Sequence, residues 1–321
     1  MNKQLSLAVA AILILASACA PRSPETPGEL AEAPLLENGS FDVVLDGIAI
    51  HYEVHGTGPV LMTVPNSWGL TLEGLRAVYR PLEEHVTIVY FDPRGMGRSG
   101  PIREAADMGL EAVREDFDAL RRHLGLDRVH AIGWSNGATN LILLALEYPE
   151  ALSSAIFLHA APSFTEDDAA ALQADHQEMF ASWAEFEQFL SRSEMTAEES
   201  NEQMKQFLLE KFFPQLFADE QAARARVELL FKEAGFSLAH SQYSDAEMPI
   251  YDFRDRLAEI PVRSLVIAGR HDLLPPEKVA ELSDGLADSQ FVVFEQSGHF
   301  APVEEPEKFI AAVVEFLDTG A

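Results

Sequence analysis

The sequence has a single cysteine, Cys19, among its 321 residues. With one thiol, the chain can form neither an internal disulfide nor a multi-cysteine metal site. It is also poor in positive charge, because 23 lysine and arginine residues stand against 52 aspartate and glutamate residues, giving a formal net charge of −29. That excess disfavours unaided binding to nucleic acid or to an anionic membrane surface. The composition, 47% hydrophobic, is that of a globular protein and excludes a wholly disordered or collagenous chain.

The N-terminal segment has the three-part order of a secretory signal. Lys3 precedes an apolar run from Leu5 to Leu15, and small residues lead up to Cys19. This order predicts a signal peptide over residues 1–18, and the cysteine resembles that of a bacterial lipobox, whose thiol is lipidated. The Pro-rich stretch that follows predicts a tether over residues 19–39. We therefore expect a protein exported from a bacterial cytoplasm, either periplasmic or anchored by a lipid on Cys19. The alternative is a plain cleaved signal with an incidental cysteine.

From residue 40 onward, short apolar runs alternate with helical patterns. Phe41 to Leu45 and Ile48 to Val54 flank Asp46-Gly47, a dipeptide that favours a tight hairpin turn. Six further runs predict buried strands, which makes eight with the hairpin, and four helical patterns lie among them. The strand runs are 60–64, 86–91, 129–132, 154–158, 262–268 and 291–294, and the helical patterns are 107–124, 136–148, 276–286 and 306–317. This alternation predicts a mostly parallel sheet covered by helices on both faces.

One long segment, residues 163–255, interrupts the alternation. It contains helical stretches such as 181–190 and 202–213 but no strand-like run, so we expect a helical cap outside the sheet. The core domain then comprises residues 40–162 and 256–321. The cap carries 20 acidic and 7 basic residues. Most of the acids should lie on solvated faces, but a few at the cleft would hold a substrate ammonium group.

The strongest local motif is Gly133-Trp134-Ser135-Asn136-Gly137, which lies between a predicted strand and a predicted helix. In Gly-x-Ser-x-Gly, a sharp strand-to-helix turn strains the central residue and pushes its hydroxyl clear of the sheet, and glycine on either side avoids collisions with backbone. This context predicts a nucleophile at Ser135. The alternative is an ordinary helix start with Ser135 near the N-cap.

A serine nucleophile needs a base, and the base needs a carboxylate to orient it. Asp272 and His299 each follow a predicted strand, and open α/β sheets gather their sites at the carboxyl ends of strands. His271 is the alternative base, but a residue adjacent to Asp272 cannot readily face it across a cleft. The other histidines show no metal-ligand spacing, and no His-Glu-x-x-His string is present, so we expect no metal.

Together these motifs resemble the α/β-hydrolase superfamily, from the opening hairpin to the last helix, and within it the proline-iminopeptidase-like branch. The stretch Asp92-Pro93-Arg94-Gly95-Met96-Gly97-Arg98-Ser99 is similar to that branch's loop after the fourth strand, and Gly269-Arg270-His271-Asp272 and Ser297-Gly298-His299 are similar to its acid and base loops. The order Ser, Asp, His is that of α/β-hydrolases. The resemblance implies an α/β-hydrolase fold with a mostly parallel eight-stranded sheet. It also implies that Ser135 is the nucleophile, His299 the general base and Asp272 its orienting acid, with no cofactor.

Two stretches depart from that branch. It commonly has His-Gly-Gly-Pro-Gly after the third strand, where this chain has Pro65-Asn66-Ser67-Trp68-Gly69, and it tends to have Gly-Gly-Ser-Trp-Gly around the serine. An oxyanion hole is built from backbone donors, so the N–H groups of Ser67 and Asn136 can still form one. Hydrolase activity is therefore a firmer expectation than peptidase activity.

The sequence thus predicts a serine hydrolase that acts on small ester, amide or short-peptide substrates through an acyl-serine intermediate. It would be either a carboxylesterase or a proline-iminopeptidase-like aminopeptidase. The alternative from another class is a catalytically idle ligand-binding protein on the same fold. Residues 95–100 also satisfy Gly-x-Gly-x-x-Gly, but Pro101 follows at once and no acidic residue closes the next strand, which disfavours a dinucleotide cofactor.

Overall fold

The computed structural model describes residues 36–66 and 68–319, and an eight-stranded sheet runs through them. The strands of the described residues are β1 (Gly39–Leu45), β2 (Ile48–Gly56), β3 (Val60–Val64), β4 (Thr87–Phe91), β5 (Val129–Trp134), β6 (Leu152–Leu158), β7 (Ser163–Phe164), β8 (Tyr251–Asp252), β9 (Ser264–Gly269) and β10 (Ser289–Phe294). All except β7 and β8 belong to the large sheet, in the order β1-β2-β4-β3-β5-β6-β9-β10. Within that sheet, only the pairs that β2 makes with β1 and β4 are antiparallel. The predicted mostly parallel sheet of eight strands is confirmed.

The opening hairpin forms where the sequence predicts it. β1 and β2 pair from Gly39–Val54 to Leu45–Ile48. Asp46 and Gly47, between them, both have positive φ, 48° and 82°. Two successive positive φ angles match the right-handed twist of the flanking strands, which is why Asp-Gly is favoured in such a turn.

Helices cover both faces of the sheet. The α-helices of the described residues are α1 (Leu72–Tyr79), α2 (Leu110–His123), α3 (Asn136–Glu147), α4 (Glu166–Asp175), α5 (Gln177–Ser191), α6 (Ala197–Phe207), α7 (Glu220–Leu230), α8 (Leu238–Glu247), α9 (Pro276–Gly285), α10 (Ala301–Glu304) and α11 (Pro306–Asp318). Successive strand residues point to opposite faces, so Leu61 joins a cluster with α1 and α11 whereas Met62 joins a cluster with α2, α3 and α9. The central strands β3 and β4, in which every residue is buried, are therefore covered on both sides.

Helix α2 begins three residues later than predicted. Residues 105–108 form a separate 3₁₀ turn instead, because the Asp107 carboxylate accepts hydrogen bonds from the backbone N–H of Arg103 and from the guanidinium of Arg94. The N–H of Arg103 donates to Asp107 at 2.6 Å and Arg94 Nη1 donates to it at 2.9 Å. Gly109 then starts the helix in an extended conformation.

Five helices, α4 to α8, lie between β6 and β9 in the chain. This stretch also contains β7 and β8, so the expectation that it has no strand is wrong. They pair with each other through Ser163–Asp252 and Phe164–Tyr251. A strand of two residues is too short to produce an alternating pattern, so no sequence signal predicts β7 or β8. The cap boundaries at 163 and 255 stay a prediction.

The loop after β4 uses its glycines to fold around its own carboxylate. Asp92 is buried and accepts the N–H groups of Leu72 at 2.8 Å and Arg98 at 2.9 Å. Gly97 has φ 48°, and a Cβ there would lie 2.1 Å from an Asp92 oxygen. The glycine pattern thus has a structural explanation that involves no nucleotide.

The predicted signal peptide, Cys19 and the tether as far as residue 35 lie outside the described residues. No helix of the described ranges combines the length and the apolar character needed to cross a membrane.

Candidate active site

Ser135 lies in a strained turn between β5 and α3. Its backbone has φ 55° and ψ −125°, a conformation that few non-glycine residues adopt. A Cβ on Gly133 would lie 2.5 Å from the carbonyl oxygen of Gly137, and one on Gly137 would lie 2.5 Å from that of Val64. Both flanking positions therefore require glycine. The N–H of Ser135 donates to the carbonyl of Leu158 at 2.9 Å, which fixes the turn to the end of β6.

Asp272 and His299 meet although they lie on loops after different strands, β9 and β10. His299 Nδ1 is 2.9 Å from Oδ1 and 3.1 Å from Oδ2 of Asp272. The Asp272 side chain is fully buried, and His299 is 4% exposed. The structure thus brings His299 to Asp272, while the alternative base His271 is exposed.

Electrostatics keep Asp272 ionised. Burial alone would raise the pKa of its carboxyl group, but the two histidines beside it outweigh burial and hold that pKa well below its usual range. These are His299 and His159, whose Nδ1 is 2.6 Å from Asp272 Oδ2. An ionised carboxylate only accepts hydrogen bonds, so both imidazoles donate to it.

His159 was not predicted as a site residue. It directly follows β6, and β6 pairs with β5 so that Leu158 lies opposite Trp134. Ser135 and His159 therefore leave the same edge of the sheet. The sequence signal that could have identified His159 is its position just past the end of a strand, which is the signal that identified Asp272 and His299. The ligand atoms of His159, Asp272 and His299 lie within 4.8 Å of one another, close enough for a metal, but hydrogen bonds already account for this spacing.

Ser135 and His299 open onto the same cavity, of about 230 Å³. The described residues that line it are Asn66, Trp68, Leu70, Trp134, Ser135, Asn136, Phe212, Phe213, Leu216, Leu273, Leu274 and His299. None of these described lining residues is an acid, and His299 is the one histidine among them. No hydrogen bond joins Ser135 Oγ to His299 within the described part of the chain, and catalytic hydrogen bonds commonly tighten only when substrate binds.

Trp134 connects the nucleophile turn to the histidine loop. Its Nε1 donates to the carbonyl oxygen of His299 at 2.8 Å, and its ring centroid is 5.4 Å from that of His299 and 4.9 Å from that of Phe300. The N–H of His299 donates to the carbonyl of Leu216, from the segment between β6 and β9, at 2.7 Å. Both backbone polar groups of His299 are thus paired, which fixes where its ring can lie. In the sequence, Trp134 stands out only as a difference from the proline-iminopeptidase-like motif around the serine, and this contact with His299 is not predicted.

Of the two predicted oxyanion donors, the structure describes Asn136 but not Ser67. Asn136 is the first residue of α3 and lines the cavity, so its N–H belongs to the positive end of a helix. Ser67 lies outside the described residues. Its neighbour Asn66 is buried and accepts the N–H of Leu70 at 3.3 Å. The pairing of Ser67 with Asn136 stays a prediction.

Two acids lie behind the aromatic wall of the cavity rather than in it. The ring centroids of Trp68 and Trp183 are 5.8 Å apart. The Trp68 side chain is hydrogen-bonded to Asp245, and Trp183 Nε1 donates to Glu187 at 3.0 Å. Desolvation raises the pKa of Asp245, the Trp68 hydrogen bond partly offsets the rise, and the charge of Glu187 adds to it. The expected acidic groups facing the substrate are absent from the described lining.

The fold and the serine turn together define an α/β hydrolase. A family model described as "alpha/beta hydrolase fold" matches residues 65–306, and the chain belongs to that family.

The relatives include peptidases and esterases at equal similarity. The proline iminopeptidase of Clostridioides difficile is 26% identical over 241 residues, 73% of this chain and 80% of that protein. The pimeloyl-[acyl-carrier protein] methyl ester esterase of Aeromonas salmonicida is 26% identical over 281 residues, 84% of this chain and 100% of that protein. The solved structure of an alpha/beta fold family hydrolase from Bacillus anthracis superposes with a TM-score of 0.70 at 20% identity, covering 87% of this chain and 99% of that one. The resemblance to the proline-iminopeptidase-like branch is confirmed. The relatives support a hydrolase, but they act on different substrates and do not identify the substrate of this chain.

Trp134→Phe should destabilise the protein by about 1–3 kcal/mol, because it leaves the carbonyl of the buried His299 without its donor. Trp183→Phe is the matched control, since it shortens the same kind of ring and removes a hydrogen bond to the exposed Glu187. Denaturant unfolding of both variants measures the difference. Equal losses of unfolding free energy would show that the Trp134 hydrogen bond adds nothing.

Proposed function

We propose that this protein is a serine hydrolase that transfers acyl groups from small carboxylic esters to water through an acyl-Ser135 intermediate. The observation that carries the proposal is the joint opening of Ser135 and the Asp272-bound His299 onto one apolar cavity. A strained serine or a buried ion pair alone has structural explanations. Their convergence at one cavity is what acyl transfer requires.

The mechanism follows from the orientation of His299. Its Nδ1–H is held by Asp272, which leaves Nε2 unprotonated to take the Ser135 hydroxyl proton as Oγ attacks the substrate carbonyl carbon. The negative charge that develops on the carbonyl oxygen would be stabilised by the N–H of Asn136 together with that of Ser67. His299 then returns the proton to the leaving alcohol or amine. In the second half, His299 takes a proton from water as the water oxygen attacks the acyl carbon, and it passes that proton to Ser135 Oγ as the bond from Oγ to the acyl group breaks and the acid is released.

The lining of the cavity favours an uncharged, apolar acyl group. Rings and aliphatic side chains such as Trp68, Phe213 and Leu273 form most of it. Its volume lies below the range of drug-sized pockets, so the acyl group should be small. A second candidate, proline-iminopeptidase-like cleavage, is favoured by one observation: Asp245 is hydrogen-bonded to Trp68, a ring of the cavity wall, and would attract a substrate amine. Glu187 lies further back, on Trp183, whose ring packs against that of Trp68.

Ser135→Ala should lower the rate of the chemical step by about a million-fold, because no other group would replace the attacking oxygen. Hydrolysis of p-nitrophenyl butyrate and labelling by a fluorophosphonate both measure this loss. Ser191→Ala, an exposed serine at the end of α5, is the control and should retain activity and labelling. Retention of more than a few per cent of turnover by Ser135→Ala would refute the assignment. Tight ligand binding with no turnover of any ester or amide would instead support an idle binding protein.

The wild-type enzyme should hydrolyse p-nitrophenyl butyrate at least about tenfold more efficiently than proline p-nitroanilide, since no acid is among the described residues that line the cavity and would hold the amine. Asp245→Asn separates the two candidates. For an esterase it should change kcat/KM for the ester less than about twofold, whereas for an iminopeptidase it should lower kcat/KM for the proline amide about tenfold. Asp255→Asn, an exposed acid, is the control. A preference for the proline amide that depends on Asp245 would overturn the esterase proposal.

We also infer export and lipid attachment at Cys19, from the segment that precedes the tether. Cys19→Ala should move the protein from the membrane fraction to the soluble fraction, because the thiol that carries the lipid is lost. Ser23→Ala in the tether is the control and should fractionate like wild type. Equal membrane partitioning of Cys19→Ala and wild type would exclude the lipid.

A further inference from the structure

His159 has an unusual backbone that no part of the proposed mechanism uses. Three non-glycine residues of the described ranges have positive φ: Asp46, Ser135 and His159. Asp46 forms the hairpin turn and Ser135 is the proposed nucleophile. His159, with φ 55°, is fully buried, and its N–H donates to the carbonyl of Ile267 at 2.9 Å, continuing the pairing of β6 with β9. Strain of this kind persists only where surrounding contacts enforce it, and it concentrates at functional sites.

The side chain of His159 is bound to the same carboxylate as His299. Its Nδ1 lies 2.6 Å from Oδ2 of Asp272, while His299 Nδ1 lies 2.9 Å from Oδ1. The centroids of the two imidazole rings are 5.1 Å apart. Each oxygen of Asp272 thus has a nearest imidazole donor of its own, and the carboxylate cannot turn toward one histidine without stretching its bond to the other.

His159 is held as a neutral imidazole. Its Nε2 is buried and makes no hydrogen bond within the described ranges. A protonated Nε2 would bury an unpaired donor and a charge, which is far more costly than burying the lone pair of the neutral ring. Burial accordingly lowers the pKa of His159, although Asp272 partly opposes that shift. The protonated atom of the neutral ring is therefore Nδ1, which donates to Asp272.

We propose that His159 is a positioning residue for hydrolysis, a neutral donor that holds one oxygen of Asp272 so that the carboxylate is aimed at His299 and shares its charge between two imidazoles. This inference rests on the proposed function, because it concerns how the proposed base is oriented.

The charge sharing has a consequence for the pH dependence. Among the described residues, Asp272 and His299 are the ionisable groups that act on His159. Without the His159 donor, the full charge of the carboxylate would act on His299 and stabilise its protonated form. The neutral form that acts as base would then appear only at higher pH. The acid limb of the activity profile should move upward, an effect that a purely structural role would not produce.

Two variants of similar shape separate the donor from the bulk of the ring. His159→Asn keeps an N–H donor near the place of Nδ1, and asparagine tolerates positive φ. His159→Leu fills similar space without a donor. Initial rates of p-nitrophenyl acetate hydrolysis from about pH 5 to about pH 9 give the profile of each, and the pH dependence of fluorophosphonate labelling of Ser135 gives the same information without turnover.

For His159→Leu, we expect the acid limb of kcat/KM to shift upward by about 1–2 pH units, the size expected for loss of one hydrogen bond to a charged group. For His159→Asn, the acid limb should stay close to that of wild type. An acid limb in His159→Leu at the wild-type pH, with the protein folded by circular dichroism, would overturn the proposal. So would equal shifts in both variants.

The unaltered protein provides a second test in case His159→Leu does not fold. Histidine labelled with ¹⁵N reports the tautomer of each ring, and His159 is assigned by the signal that His159→Asn lacks. We expect a neutral ring protonated at Nδ1 throughout that pH range. A ring protonated at Nε2, or one that becomes charged as the pH falls through that range, would overturn the proposal. Because this readout needs no activity, a failed role for His159 is distinguishable from a failed serine hydrolase, which Ser135→Ala tests.

Discussion

The buried charge of Asp272 is the interaction on which the arrangement of the site depends. An ionised carboxylate removed from water costs several kcal/mol unless donors satisfy its oxygens. Here two imidazoles do so, at 2.6 Å and 2.9 Å, and the backbone N–H of Leu274 adds a third donor at 3.3 Å. The same contacts that make burial tolerable fix the ring of His299 beside the cavity. Stability of the carboxylate and orientation of the proposed base therefore have one physical origin.

The sheet brings these groups together because parallel strands end at one edge. Ser135, His159 and Asp272 follow β5, β6 and β9, which are neighbours in the sheet, and His299 follows β10 at its border. The loops after β9 and β10 approach each other closely there, because a Cβ on Gly269 would lie 2.0 Å from the carbonyl oxygen of Gly298. Hydrogen bonds between the elements then join the loops to one another, as with Trp134 and the carbonyl of His299.

The sequence predicted the residues whose chemistry has a local signature. The glycines around Ser135 and the positions of Asp272 and His299 after apolar runs are visible without a structure, and the strand pattern predicted the sheet. Strand order depends on contacts between distant segments, so no local pattern contains it. His159 also follows an apolar run, but no recognised motif surrounds it, and its contact with Asp272, 113 residues away, is visible only in the structure. The late start of α2 likewise follows from a side-chain contact between Asp107 and Arg94.

The most direct measurement is a crystal structure of the protein after reaction with a fluorophosphonate. We expect phosphorus bonded to Ser135 Oγ, a phosphoryl oxygen within hydrogen-bond distance of the Asn136 N–H, and His299 Nε2 within hydrogen-bond distance of the adduct while its Nδ1 stays on Asp272. A folded protein with Ser135 unmodified, or an adduct from which His299 is turned away, would contradict the proposed mechanism.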